Sequence, residues 1–149
     1  MPEPVTVAVE VARPRLEVFN YVDVLANHED WLKHIYKDWR FEGPRRGVGG
    51  IARARFDAPA SREQISLKVI ESEAPERIVE EVISAHEKRQ TKGTYRFTEL
   101  AGGRTRIEYE YEWLKTPRPE RIAPFVSRAV MARTNGKSLK RLAALLEKG

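Results

Sequence analysis

The chain has 149 residues, 41% of them hydrophobic and 33% charged. This excludes a disordered, apolar-poor polymer and a membrane-embedded one, and it suffices for one domain, residues 1–149, with one substantial core. The net charge of +5 sits at one end: from Arg118 onward eight bases (Arg118, Arg121, Arg128, Arg133, Lys137, Lys140, Arg141, Lys148) face Glu120 and Glu147, a local sum of +6 that leaves −1 for everything before.

Absent cysteine removes disulfides, thiol nucleophiles and thiolate metal sites, and leaves His28, His34 and His86 as the only imidazoles. No apolar run approaches the roughly 20 residues that span a bilayer. The opening residues alternate Val with polar side chains where a signal peptide would carry an apolar block. These features predict a cytoplasmic protein without a transmembrane segment.

In chain order, Val5, Val7, Val9 and Val11 alternate with polar residues as a β-branched strand does. Pro14 then opens a helix whose apolar stripe is Leu16, Phe19 and Val22. A second short helix is predicted over Asn27 to Ile35, capped by Asn27, with Trp31, Leu32 and Ile35 inward. From Tyr36 the period becomes two: Trp39 and Phe41 alternate with Asp38, Arg40 and Glu42 up to the Gly43-Pro44 turn.

Ala52, Ala54 and Phe56 mark the next strand, and Ile65, Leu67 and Val69 the one after. Ile78 to Ala85 is strand-like, but the doublets Ile78-Val79 and Val82-Ile83 leave its inward face open. Tyr95 and Phe97 follow. After Gly102-Gly103 come Ile107, Tyr109, Tyr111 and Trp113, in strict alternation with Arg106, Glu108, Glu110 and Glu112.

Alternation of this kind means one wet and one covered face, hence an antiparallel sheet. Only the segment from Pro119 to Leu146 is long enough to cover it, as a helix of roughly 40 Å. Its predicted stripe is Phe125, Ala129, Ala132, Gly136, Leu139, Ala143 and Leu146. Small residues in the middle of that stripe admit three readings: a cavity under the helix, a close approach to the sheet, or a break at Asn135-Gly136. The fold class is therefore α+β.

Two motifs fail on context. Gly47-Val48-Gly49-Gly50 resembles a dinucleotide fingerprint, yet a strand follows it where phosphate binding needs a helix. His28 and His34, six apart, fall on different sides of a helix and have no third ligand at metal spacing, so neither a metal nor a cofactor is expected. No carboxylate falls clearly inward, which argues against a paired-carboxylate hydrolase.

The order strand, two short helices, six strands and a long terminal helix is the helix-grip arrangement. Its pieces are Val7-x-Val9-x-Val11 with Pro14, Val18-Phe19-x-Tyr21-Val22-Asp23 with Trp31, Gly47-x-Gly49, Gly93-x-Tyr95-x-Phe97, Gly102 to Ile107, and Ser138-Leu139 with Leu142, Leu145 and Leu146. Together they resemble the START-like, or SRPBCC, superfamily, in particular its polyketide cyclase/dehydrase-like branch.

That resemblance implies a curved sheet of about seven strands gripping the terminal helix around a pocket for a lipid, polyketide or other small hydrophobic molecule. The implied pocket residues are Trp39, Phe41, Phe56, Tyr95, Phe97, Tyr109, Tyr111 and Trp113 from the sheet, with Phe125, Ala129, Ala132 and Gly136 from the helix. From the residues alone, the same aromatics serve equally as core or as pocket wall.

The leading expectation is binding or transport of such a molecule. A cyclase, aromatase or dehydrase acting in the same pocket is the alternative, with His86 and Arg133 as candidate polar groups or as exposed rim residues. A further alternative makes the basic helix a surface for an anionic partner.

Overall fold

The computed structural model describes residues 2–59, 62–84 and 86–148. Strand β1 (Val5–Val11) leads to α1 (Arg15–Asp23), a 3-10 turn (Leu25–Asn27) and α2 (His28–Leu32). Six strands follow: β2 (Tyr36–Glu42), β3 (Ile51–Phe56), β4 (Gln64–Glu73), β5 (Arg77–Ser84), β6 (Arg89–Leu100) and β7 (Arg104–Lys115). The chain ends in α3 (Arg118–Ile122) and α4 (Pro124–Lys148).

All seven strands join one antiparallel sheet in the order β1-β7-β6-β5-β4-β3-β2, a meander with β1 added beside β7. The valines of β1 face inward alongside β7, Val5 opposite Tyr111, Val7 opposite Tyr109 and Val9 opposite Ile107. On the wet face, cross-strand pairs such as Arg96–Glu110 (2.9 Å) and Lys92–Glu112 (3.4 Å) hold the acidic residues of β7 away from the interior. The sheet curves around α4 in the helix-grip arrangement.

The core joins α1, α2, the sheet and the C-terminal half of α4. Phe19 meets Phe97 edge-on at 5.7 Å, while Val18, Trp31, Ile107, Leu139 and Leu142 are buried around them. Leu16, predicted inward, is exposed, and Val18 takes its place. Helix α2 is shorter than predicted, because the Leu32 carbonyl accepts the Ile35 N–H in a tight turn that sends the chain into β2. Asn27 does not cap it; its amide donates to the Tyr21 carbonyl at 2.9 Å. Ala85, the last residue of the predicted fifth-strand segment, lies outside the described residues.

The terminal helix is not continuous from Pro119. Ala123 adopts φ −133° and ψ 72° and separates α3 from α4, because the ring of Pro124 crowds a helical conformation at the preceding residue. No break occurs at Asn135-Gly136, where α4 runs straight through.

Helix α4 is fastened to the start of the chain at both ends. Arg128 donates to the carbonyls of Glu3 and Pro4 (3.1 and 3.2 Å), while Arg13 donates to Leu146 O (2.9 Å). Among the described residues, no helix is long and apolar enough to cross a membrane.

Candidate functional site

Between the inner face of the sheet and the N-terminal half of α4 lies a cavity of about 710 Å³. Its apolar wall comes from Leu32 and Ile35 after α2, Phe56 on β3, Ile65 and Leu67 on β4, Val82 on β5, and Val126, Val130, Met131 and Leu139 on α4. The phenols of Tyr36, Tyr95, Tyr109 and Tyr111 enter it, as do Glu80, Ser84, Arg89 and Thr91. The mouth lies beside exposed Asp57, Arg133 and Lys137.

Local irregularities set which side chains arrive there. In β2 a bulge between Lys37 and Arg40 leaves Asp38 at φ 58°. The extra residue shifts the phase, so Tyr36 shares the inner face with Trp39. Tyr36 packs on Phe56 at 5.0 Å and edge-on against Trp39 at 5.8 Å. In β6, Gly93 lies where a Cβ would stand 2.2 Å from the Tyr109 hydroxyl oxygen and 2.7 and 2.8 Å from its ring carbons. The missing side chain is thus the berth of the Tyr109 ring, which also lies 4.6 Å from that of Tyr95.

Burial pushes all four phenols up from their ordinary value, reinforced at Tyr95 by the Glu80 charge and at Tyr109 by Tyr95 and then Glu80. Each is a neutral hydroxyl able to donate. Tyr95 accepts the indole N–H of Trp31 at 3.3 Å, and Thr91 lies beside the Tyr111 phenol.

Glu80 corrects the expectation that no carboxylate faces inward. Its register opposite Gly93 aims it at the cavity, and it shares a hydrogen bond through Oε2 with His28 Nε2, both residues being only 1% exposed. The doublets of β5 conceal this: Ile78, Glu80, Val82 and Ser84 form its inner face. His28, weighed from the sequence only as a metal ligand, lies 4.5 Å from the Trp31 ring and edge-on to Tyr95 at 6.1 Å.

At one end of the cavity, Arg89 ties three elements together. It chelates both Glu120 oxygens from α3 and donates to Glu63 Oε1 and Ser84 Oγ, each at 3.1 Å. Burial works against its charge, but the Glu120 hydrogen bonds and the charges of Glu120 and Glu63 outweigh that and hold it protonated. At the other end, His34 Nε2 lies 3.3 Å from Ser138 Oγ; burial, then Arg141 and Lys137, push the imidazole down from its ordinary value.

Of the residues implied by resemblance, Phe56, Tyr95, Tyr109 and Tyr111 meet at the cavity. Phe97 is buried behind Tyr95 and stacked on it; Trp113 packs edge-on against Tyr111 in a second cluster with Val5. Trp39 is half-buried, and Phe41 is exposed on the sheet edge. None of the four helix residues lines the cavity: Phe125 is 75% exposed, Ala129 is exposed, and Ala132 packs beside Val5, Tyr111 and Trp113. A Cβ on Gly136 would meet nothing within 4 Å, so neither a close approach nor a void explains that glycine.

The helix instead presents Val126, Ser127, Val130, Met131, Thr134 and Ser138, a face whose hydroxyls disguise it as solvent-facing. Arg133 sits at the rim, and His86 is exposed in the turn before β6. Among the described residues, no group of three or more His, Asp and Glu is placed to hold a metal.

The family model described as polyketide cyclase / dehydrase and lipid transport matches residues 3–147. Among curated proteins, none matches significantly. Solved structures do. The Zhui aromatase/cyclase from Streptomyces sp. R1128 superposes with a TM-score of 0.77 at 14% identity, covering 98% of this chain and 94% of that one. A truncated norcoclaurine synthase from Thalictrum flavum gives 0.74 at 16% identity, with 99% and 94% covered. The protein CV1439 from Chromobacterium violaceum gives 0.72 at 19% identity, with 98% and 99% covered. At such identities these likenesses establish the fold.

Proposed function

The chain belongs to the polyketide cyclase / dehydrase and lipid transport family, and from that premise we propose that it binds a small, largely apolar molecule between the sheet and α4. The observation that carries this reading is the cavity itself. Its volume of about 710 Å³ falls in the range of roughly 300–1,000 Å³ occupied by small-molecule sites, and its wall combines aliphatic and aromatic surface with a few convergent polar groups. The buried phenols favour a ligand with oxygen acceptors on an apolar skeleton, because a desolvated hydroxyl gains most from a partner.

The test uses 1-anilinonaphthalene-8-sulfonate, a dye that fluoresces in apolar pockets. Wild type should enhance its emission saturably. Thr134→Trp, which projects an indole from α4 into the space, should abolish that enhancement while retaining the wild-type circular dichroism. Phe125→Ala, on the opposite side of the helix, should leave it intact. Enhancement that survives Thr134→Trp refutes the cavity as the binding site.

A second reading concerns delivery. Ile122 (83% exposed), Phe125, Val126 and Val130 leave apolar side chains exposed along α3 and the first turns of α4, and the two valines also line the cavity. Arg118, Arg121 and Arg133 flank them, none in an ion pair among the described residues. Apolar tips among unneutralised guanidinium groups suit an anionic bilayer surface, which we propose as the loading partner. Sedimentation with vesicles containing phosphatidylglycerol, but not with phosphatidylcholine alone, supports this; equal retention on both, or on neither, ends it.

A further inference from the structure

Glu80 is the feature that ligand binding alone leaves unexplained. A carboxyl group in an apolar wall is unfavourable, and a pair that served only to hold α2 against the sheet would hold as well or better if both partners were apolar. Here the pair is kept where it meets the cavity: Glu80 lines it, and His28 stands behind. Only Oε2 is engaged by His28; Oε1 has no hydrogen-bond donor among the described residues. The neutral phenols of Tyr95 and Tyr109 lie near enough for the Glu80 charge to act on both.

We infer that Glu80 is a proton-transfer group, held in position by His28, for a ligand whose C–H bond is acidified by a neighbouring carbonyl. The inference rests on the cavity being the binding site. A carboxylate beside neutral hydroxyl donors, in a largely apolar pocket, is what enolisation requires. Glu80 takes the proton from the carbon next to the carbonyl. The C–H electron pair becomes the enolate C=C bond, the carbonyl π pair moves to oxygen, and that oxygen accepts a hydrogen bond from the Tyr95 or Tyr109 hydroxyl. The Glu80 carboxyl then exchanges its proton with solvent entering through the mouth, and return of that solvent-derived hydrogen from Glu80 to carbon completes a balanced, reversible cycle that consumes no oxidant, reductant or co-reactant. His28 touches no substrate in this scheme and acts as a positioning residue.

The probe is 2-tetralone, an apolar bicyclic ketone, dissolved in heavy water with exchange of its α-hydrogens followed by proton NMR. Wild type should accelerate exchange over buffer, and Glu80→Gln should lower kcat by about 100-fold or more. Glu80→Gln loses the buried charge opposite His28 and should melt at a lower temperature, but at the assay temperature it should keep the wild-type circular dichroism, so that the lost exchange belongs to the proton transfer. His28→Leu should lower kcat with little change in KM, and His28→Gln, which retains an N–H near Oε2, should recover part of the loss; a merely structural His28 would move stability and KM together.

Wild-type exchange no faster than Glu80→Gln, with dye binding intact in both, overturns the inference and leaves the binding reading standing. If Glu80→Gln does not fold, exchange by wild type that is indifferent to the Thr134→Trp block overturns it equally. Failure of wild type to bind dye overturns the binding reading and this inference together.

Discussion

Gly93→Ala tests the packing that defines the cavity. An added Cβ would stand 2.2 Å from the Tyr109 oxygen and under 3 Å from two ring carbons, where ordinary contact begins near 3.4 Å, so the ring must move by about 1 Å or more. Tyr95, 4.6 Å from the ring centre, blocks retreat on one side, and the ring can yield only toward the cavity. Gly93 has no positive φ, so alanine itself fits the strand and gains about 0.4–1 kcal/mol by restricting the unfolded chain.

Overpacking costs about 1–3 kcal/mol, giving a net loss of about 1–2 kcal/mol, or a Tm lower by about 3–6 °C for a chain of this size. The assay is thermal denaturation of wild type, Gly93→Ala, Tyr109→Val and the double variant, with dye affinity measured alongside. In the Tyr109→Val background the alanine should be neutral or stabilising, and in the wild-type background it should weaken dye binding. An equal loss in both backgrounds would show that the berth is not what Gly93 provides.

The other predictions follow from exposure and charge. Gly136→Ala, the same substitution in the interior of α4 with nothing within 4 Å, should raise stability by about 0.5–1 kcal/mol, read as a higher Tm. Leu139→Ala should cost about 2–5 kcal/mol in denaturant titration, because Leu139 is buried, whereas Phe125→Ala should stay within about 0.5 kcal/mol of wild type.

His34 has its pKa lowered in the folded state, so the folded chain binds fewer protons there than the unfolded one. Stability should fall as pH drops through the ordinary histidine value of 6.5, and His34→Gln should flatten that part of the curve in melts between pH 5 and 8. A double-mutant cycle on Arg89→Met and Glu120→Gln should give a coupling of about 1 kcal/mol that shrinks with salt; no coupling at low salt would contradict the chelate.

The sheet was legible in the sequence because most of its strands alternate cleanly between a wet and a dry face, β7 above all. Legibility failed where the backbone departs from strict period two or where a dry face carries polar groups. The Asp38 bulge inverts the phase of β2 and hides Tyr36. In β5 both faces carry apolar residues, so Glu80 gives no sign of pointing inward; its pairing with His28 spans 52 positions of sequence and has no local signature. The predicted stripe of α4 holds in its C-terminal half, where Leu139, Ala143 and Leu146 face the core, and is out of phase in the N-terminal half for a related reason. A helix over a cavity with polar walls presents Ser127, Thr134 and Ser138 inward, and a rule that sends hydroxyls to solvent selects Phe125 and Ala129 in their stead. The family resemblance supplied the pocket's place between sheet and helix but could not rotate the helix about its own axis.

The clasp between the first strand and the last helix sets a timetable for synthesis. A ribosome releases the sheet from β2 to β7 before α4 exists, so Tyr109, Tyr111 and Trp113 emerge without their cover, and β1 waits without the arginine that later grips its leading edge. The risk of sticking to other nascent chains therefore peaks in the interval needed to translate α3 and α4, roughly a few seconds at about 5–20 residues per second. A chain truncated before α4 would be an exposed aromatic sheet, so its fate would be aggregation or chaperone capture, with no smaller receptor left behind.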